Sequence, residues 1–161
     1  MHAPSHHFSR LRSFAALAAT LLVATATHAG DNGRKVALLP AYQQECGACH
    51  VAYPPSLMPR ASWERLLGNL TQHFGTDASL DAAALKDVST WVGSHAGTYR
   101  RVREEPPQDR VTRTEWFARK HREVSPATWK LSSVQSAARC AACHTTADQG
   151  DFDERHIRVP R

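Results

Sequence analysis

All four cysteines of this 161-residue chain fall in two copies of one five-residue pattern. The first copy is Cys46-Gly47-Ala48-Cys49-His50 and the second is Cys140-Ala141-Ala142-Cys143-His144. Cys-x-x-Cys-His is the attachment pattern for c-type haem. Two cysteines three apart share one face of a helical turn, where both sulfurs reach the two vinyl groups of one porphyrin. The histidine that follows then lies beneath the ring and binds iron. The intervening residues are small in both copies, so each turn can lie close against its haem.

Other readings of the cysteines are weaker. A thioredoxin-like redox pair needs a βαβ setting that the hydrophobic pattern does not offer. A zinc site built from both pairs would have to bridge the ninety residues between Cys49 and Cys140, far more than four-cysteine zinc spacings. Disulfides are usual in exported proteins but do not require a histidine after each pair.

The N-terminus reads as a secretory signal, residues 1–29. Arg10 and Arg12 precede an apolar stretch from Phe14 to Ala26, and Thr27-His28-Ala29 offers a cleavage site after Ala29. The alternative is an uncleaved anchor, for which the stretch is short, since a bilayer span needs about 20 apolar residues. Export places the mature chain in the periplasm. The signal contains two Arg and no acidic residue, which leaves eighteen basic and fifteen acidic residues, a formal +3. Two haems with two propionates each would bring this near −1. The basic balance of the full chain therefore does not indicate nucleic-acid binding.

The remaining pattern indicates a mainly α fold with long irregular connections and two small haem-binding domains, residues 30–100 and 111–161. A charged linker with a Pro pair, residues 101–110, separates them. A helix over Leu39–His50 carries the first motif. The run with Pro54, Pro55 and Pro59 is not regular helix. Ser62 caps a helix with the apolar stripe Trp63, Leu66, Leu67, Leu70 and Phe74, which Gly75 ends. A further helix runs from Ser79 to about Ser94. Thr112 and Glu115 form a capping box for a helix whose inner face holds Phe117, His121 and Val124. Ser125-Pro126 opens a short helix with Trp129. Ser132 or Ser133 opens a last helix that carries the second motif. Trp63, Trp91, Trp116 and Trp129 pack against haem and core.

Each motif histidine fills one axial position of its iron, and the occupant of the other decides whether the haem carries electrons or binds small ligands. His73 and His121 both lie on apolar helix faces, where a ring nitrogen needs a partner. His73 follows His50 by 23 residues and His121 precedes His144 by 23. We pair His73 with His50 and His121 with His144, with crossed pairing as the rival. Met58 lies eight residues after His50, a span of at most about 26–29 Å, and fits haem-edge packing better than ligation. His95 and His156 read as solvent-facing. Two imidazoles per iron give lower potentials than a Met–His set.

Several words around these motifs resemble the bacterial dihaem cytochrome c family, DHC. They are Tyr53-Pro54-Pro55-Ser56-Leu57-Met58-Pro59, Trp63 through His73-Phe74-Gly75 with Asp77-Ala78-Ser79-Leu80, and Trp116-Phe117-Ala118-Arg119-Lys120-His121. The stretch from Cys140 to His144 with Gly150-Asp151-Phe152-Asp153-Glu154 completes the set. The resemblance covers nearly all of the mature chain. It implies two domains with one haem each, the first a variant of the class I cytochrome c fold. It also implies two covalent haem c groups with bis-His irons at low potential, His73 and His121 supplying the distal ligands. As partners it implies a membrane b-type cytochrome and a small monohaem cytochrome that binds oxygen.

The expected function is periplasmic electron transfer between redox proteins by a monomer with no nucleic acid, organic substrate or catalytic residue. The alternative is a haem enzyme, a peroxidase or oxygen reductase, with one open axial position and a distal acid–base group. A haem-based sensor is disfavoured, because no signalling domain follows the haem region.

Overall fold

Prolines and one tight glycine organise the first half of the chain. In this computed structural model, which describes residues 37–161, Pro40 starts helix α1, Pro40–Gly47. Proline suits that position because the first-turn N–H has no helical partner anyway. Helix α2 spans Arg60–Leu67, α3 Ala82–His95, α4 Glu115–Lys120 and α5 Pro126–Trp129. Short 3₁₀ turns join them, and the described residues contain no β-strand beyond three isolated bridges. The fold is thus mainly helical with long irregular connections, as its sequence indicates. No helix among the described residues is long and apolar enough to cross a membrane. The expected signal, residues 1–29, lies outside the described residues.

Helix boundaries differ from expectation where caps decide them. Ser62 does not cap α2. It lies fully buried in the first turn, and Pro59 precedes the helix. The helix stops at Leu67, because Gly68 closes its last turn onto Glu64. The expected stripe as far as Phe74 is therefore broken into a helix and a 3₁₀ turn, Leu70–Gln72. Ser79 does not open α3 either. Its N–H and hydroxyl donate to Asp77 at 2.9 and 2.6 Å in a local turn. Asp81 is the cap, accepting from Ala83 and Ala84 at 2.9 Å. Thr114, not Thr112, caps α4 by accepting from the Phe117 N–H. The expected last helix is absent. Residues from Ser132 onward form turns, and the second motif lies in the 3₁₀ turn Cys140–Ala142.

The core sits in the first half. Val88 and Val92 of α3 are completely buried, and Met58, Trp63, Leu67, Tyr42 and Val111 join them. Met58 is therefore core. The buried Trp63 indole donates to the Pro55 carbonyl at 2.7 Å. Residues 105–109 are held to α2 by Arg65, which pairs with both Asp109 and Glu105 at 2.6 Å. Gly97 lies where the chain after α3 crosses the Met58 segment. Its N–H donates to the Met58 carbonyl at 2.8 Å. A β-carbon there would fall 2.6 Å from the Ser56 carbonyl oxygen and closer still to Val102 Cγ2. Gly97→Ala is expected to destabilise the protein by about 3 kcal/mol, the upper end of overpacking losses, measured as a fall in the urea midpoint.

Candidate haem sites

The first site grows from the end of α1. Cys46 is half-buried against the core, whereas Gly47, Ala48 and Cys49 face solvent. His50 follows the helix, with Nδ1 2.7 Å from the Val51 carbonyl. A carbonyl only accepts, so Nδ1 carries the hydrogen and Nε2 is left bare for a metal. The His50 ring stacks on Tyr53, with centroids 4.8 Å apart and planes 14° apart. His73 follows the 3₁₀ turn and a sharp reversal in which Phe74 has φ 51° and Gly75 φ 94°. A bulky residue in that region is strained. This reversal sets the His73 ring 6.2 Å from His50, the planes 25° apart. The Arg110 guanidinium lies 4.1 Å over the Phe74 ring, and Phe74 is 4.9 Å from His73.

The second site is built differently. His121 is the residue that closes α4, and its N–H returns to the Phe117 carbonyl. Its Nδ1 lies 2.9 Å from that same carbonyl, which again leaves Nε2 bare. The ring stacks on Phe117 at 3.9 Å and meets Trp129 at 6.0 Å. His144 is fixed by its N–H to the Cys140 carbonyl at 2.8 Å, and the final segment returns through Arg158 N–H to the Cys143 carbonyl at 2.8 Å. The His121 and His144 rings are 6.0 Å apart and 64° between planes, with Phe152 5.2 Å from His144.

These residues fit haem c on two observations. Two metal–imidazole bonds of about 2 Å, each extended by half a ring, put ring centres about 6 Å apart, which is the spacing in both pairs. All four cysteines are free. His73 and His144 each bury an Nδ1 with no hydrogen-bond partner, a cost that a metal bond at Nε2 does not relieve. Burial pushes the Cys46 and Cys140 thiols up to about 11, opposite to the depressed values of reactive redox pairs. Burial also lowers His73, with His50 and Arg110 adding to it. Burial and then His121 lower His144. Both shifts favour the neutral ring, the form that binds a metal. Among the described residues no group of three or more His, Cys, Asp and Glu side chains is arranged as a closed metal cage.

The other histidines lie elsewhere. His95 is not solvent-facing. It is half-buried, its Nδ1 is 2.8 Å from the Trp91 carbonyl, and its ring is 4.7 Å from Trp91. His156 is partly exposed and lies 3.2 Å from the buried Asp151 carboxylate. Trp63 belongs to the core, Trp91 packs on Tyr42, Trp129 approaches His121, and Trp116 donates to the Leu57 carbonyl at 3.2 Å. Sequence reasoning missed Tyr53, whose hydroxyl donates to the Ala138 carbonyl at 2.7 Å. It also missed Arg110, whose partner Phe74 comes close only through the reversal at Gly75.

Residues 42–152 match the dihaem cytochrome c family. The chain is similar to the diheme cytochrome c of Shewanella baltica OS155, at 33% identity over 75% of this chain and 92% of that one, with a TM-score of 0.65. Two structures from Rhodobacter sphaeroides are similar too. DHC purified from that organism shares 40% identity over 73% of this chain and 99% of its own, TM-score 0.62. A diheme cytochrome c shares 38% over 73% and 100%, TM-score 0.64. No protein with a curated description matches the chain. Replacing both cysteines of one motif by alanine is expected to halve the haem content measured by pyridine haemochrome assay, and the remaining haem should resist acidic acetone.

Proposed function

The chain belongs to the dihaem cytochrome c family, and from that premise we propose that it carries electrons between periplasmic redox partners with both irons bis-His ligated. His50 and His73 serve the first haem, and His144 and His121 the second. Haem iron supplies the one-electron couple, and the protein positions each group and fills its axial sites. The observation that carries this reading is the pair of facing imidazoles beside each motif, at 6.2 and 6.0 Å. Both pairs join histidines of the same half of the chain, which favours local over crossed pairing.

A second imidazole opposite each motif histidine favours a carrier over an enzyme, because a peroxidase or oxygen reductase needs an open or weakly held position. Two nitrogen ligands favour low potentials relative to a sulfur ligand. The carbonyl bonds at His50 and His121 raise the basicity of the ligating nitrogens and favour the ferric state further. Family resemblance suggests a membrane b-type cytochrome and a small oxygen-binding monohaem cytochrome as partners. The signal-like N-terminus supports export.

Two measurements test the assignment. His73→Ala and His121→Ala should each convert one of the two haems to high spin and leave the other low-spin in absorption spectra. If His73→Ala leaves both low-spin, the assignment of His73 is wrong. The inter-ring angles make a separate demand. Near-parallel imidazoles, as in the first pair, donate into one iron d orbital and split it from its twin. Steeply crossed rings, as in the second, donate into both and reduce the splitting. The ferric protein should therefore show two distinct low-spin EPR signals, a rhombic one from the first haem and a more axial one from the second. His73→Ala should remove the rhombic signal alone.

A further inference from the structure

Tyr53 touches both haem sites. Its ring stacks on His50 with planes 14° apart. Its hydroxyl donates to the carbonyl of Ala138, 85 residues away, at 2.7 Å. Ala138 lies two residues before Cys140. The Tyr53 backbone is pinned from the other side, because the buried Tyr42 hydroxyl donates to its carbonyl at 2.7 Å. A carbonyl only accepts, so the Tyr53 hydroxyl is the donor of the bond to Ala138.

We propose that Tyr53 is the electronic bridge between the two haems, joining the axial His50 of the first to the attachment turn of the second. The proposal rests on the axial role given to His50 above. Electron tunnelling decays steeply across empty space and far less across covalent bonds, hydrogen bonds and stacked rings. From His50 the route has one stacked contact, one aromatic ring, one short hydrogen bond, and then backbone from Ala138 to the thioether at Cys140. Two other side chains cross between the halves, Gln43, which donates to the Asp148 carbonyl at 3.2 Å, and Trp116, which donates to the Leu57 carbonyl at 3.2 Å. Of the three, Tyr53 is the one whose ring stacks on a motif histidine, and Gln43 carries no π system. In the transfer one electron leaves one iron and one arrives at the other. Tyr53 is neither oxidised nor deprotonated.

The test uses the half-reduced holoprotein. NMR exchange between haem methyl signals of the two oxidation states gives the rate of interhaem transfer, and independence from protein concentration marks it as intramolecular. Tyr53→Phe keeps the stacked ring and removes the hydrogen bond, whereas Tyr53→Leu removes both. Tyr53→Phe should slow the exchange severalfold while both potentials and both low-spin spectra stay as in the wild type. Tyr53→Leu should slow it further. An unchanged rate in Tyr53→Phe overturns the proposal, as does a slower rate fully explained by a shift in either potential. If Tyr53→Leu fails to acquire haem, Tyr53→Phe decides alone. Failure of the axial assignment is distinguishable, because it would show in the spin state of the wild type and of His73→Ala.

Discussion

Covalent attachment of two porphyrins is the constraint on which the rest of the molecule depends, and the second half of the chain makes the reason plain. Beyond Thr112 the buried hydrophobic side chains are Val134 and Ala147. Full burial of a valine is worth about 1.5–3 kcal/mol, whereas ordering each residue's backbone costs about 1–2 kcal/mol. Two such side chains cannot order some fifty residues. The side chains gathered there instead, Phe117, His121, Trp129, His144 and Phe152, face one another around the second site. In that half the haem takes the place of a hydrophobic core. The first half differs, because α2, α3 and the Met58 segment bury a protein core of their own beside the haem site.

This division explains how much could be read from the residues alone. The haem content was legible because the chemistry of the two attachment motifs is local. The helical character was legible where helices pack on helices, as with Val88 and Val92 in α3. Periodicity failed from Ser132 to His144, where apolar residues answer to a porphyrin and not to a neighbouring helix. It also overran at Leu67, where Gly68 ends the helix and the next turn resumes a similar spacing by coincidence. Ser79 and Thr112 looked like caps because short hydroxyl residues suit both caps and turns. Asp81 and Thr114 hold the positions whose side chains reach the free N–H groups.

His73 and His121 were found as buried-face histidines, but the elements that aim them are not the expected helices. His73 stands on a strained reversal through Phe74 and Gly75, and His121 on the closing residue of a six-residue helix. Neither device has a hydrophobic period. Both place a histidine where the backbone turns away, so that the ring can project without a following turn of helix to crowd it. Arg65 does comparable work at residues 105–109. Gln108 and Asp109 both adopt left-handed backbone there, and the two-oxygen grip on Asp109 offsets the strain.

The joints between the two halves share one design. The Tyr53 hydroxyl donates to the main-chain oxygen of Ala138, and the Trp116 indole to that of Leu57. In each case the acceptor is a group that every residue type possesses. Position 138, which is exposed, can therefore drift in side-chain identity without unfastening the joint, provided the local backbone keeps its course, whereas Leu57 is held by its packing on the core and not by the joint. At both joints the recognition is made by the aromatic donor, so substitution of Tyr53 or Trp116 removes a bond that substitution of its acceptor residue leaves in place.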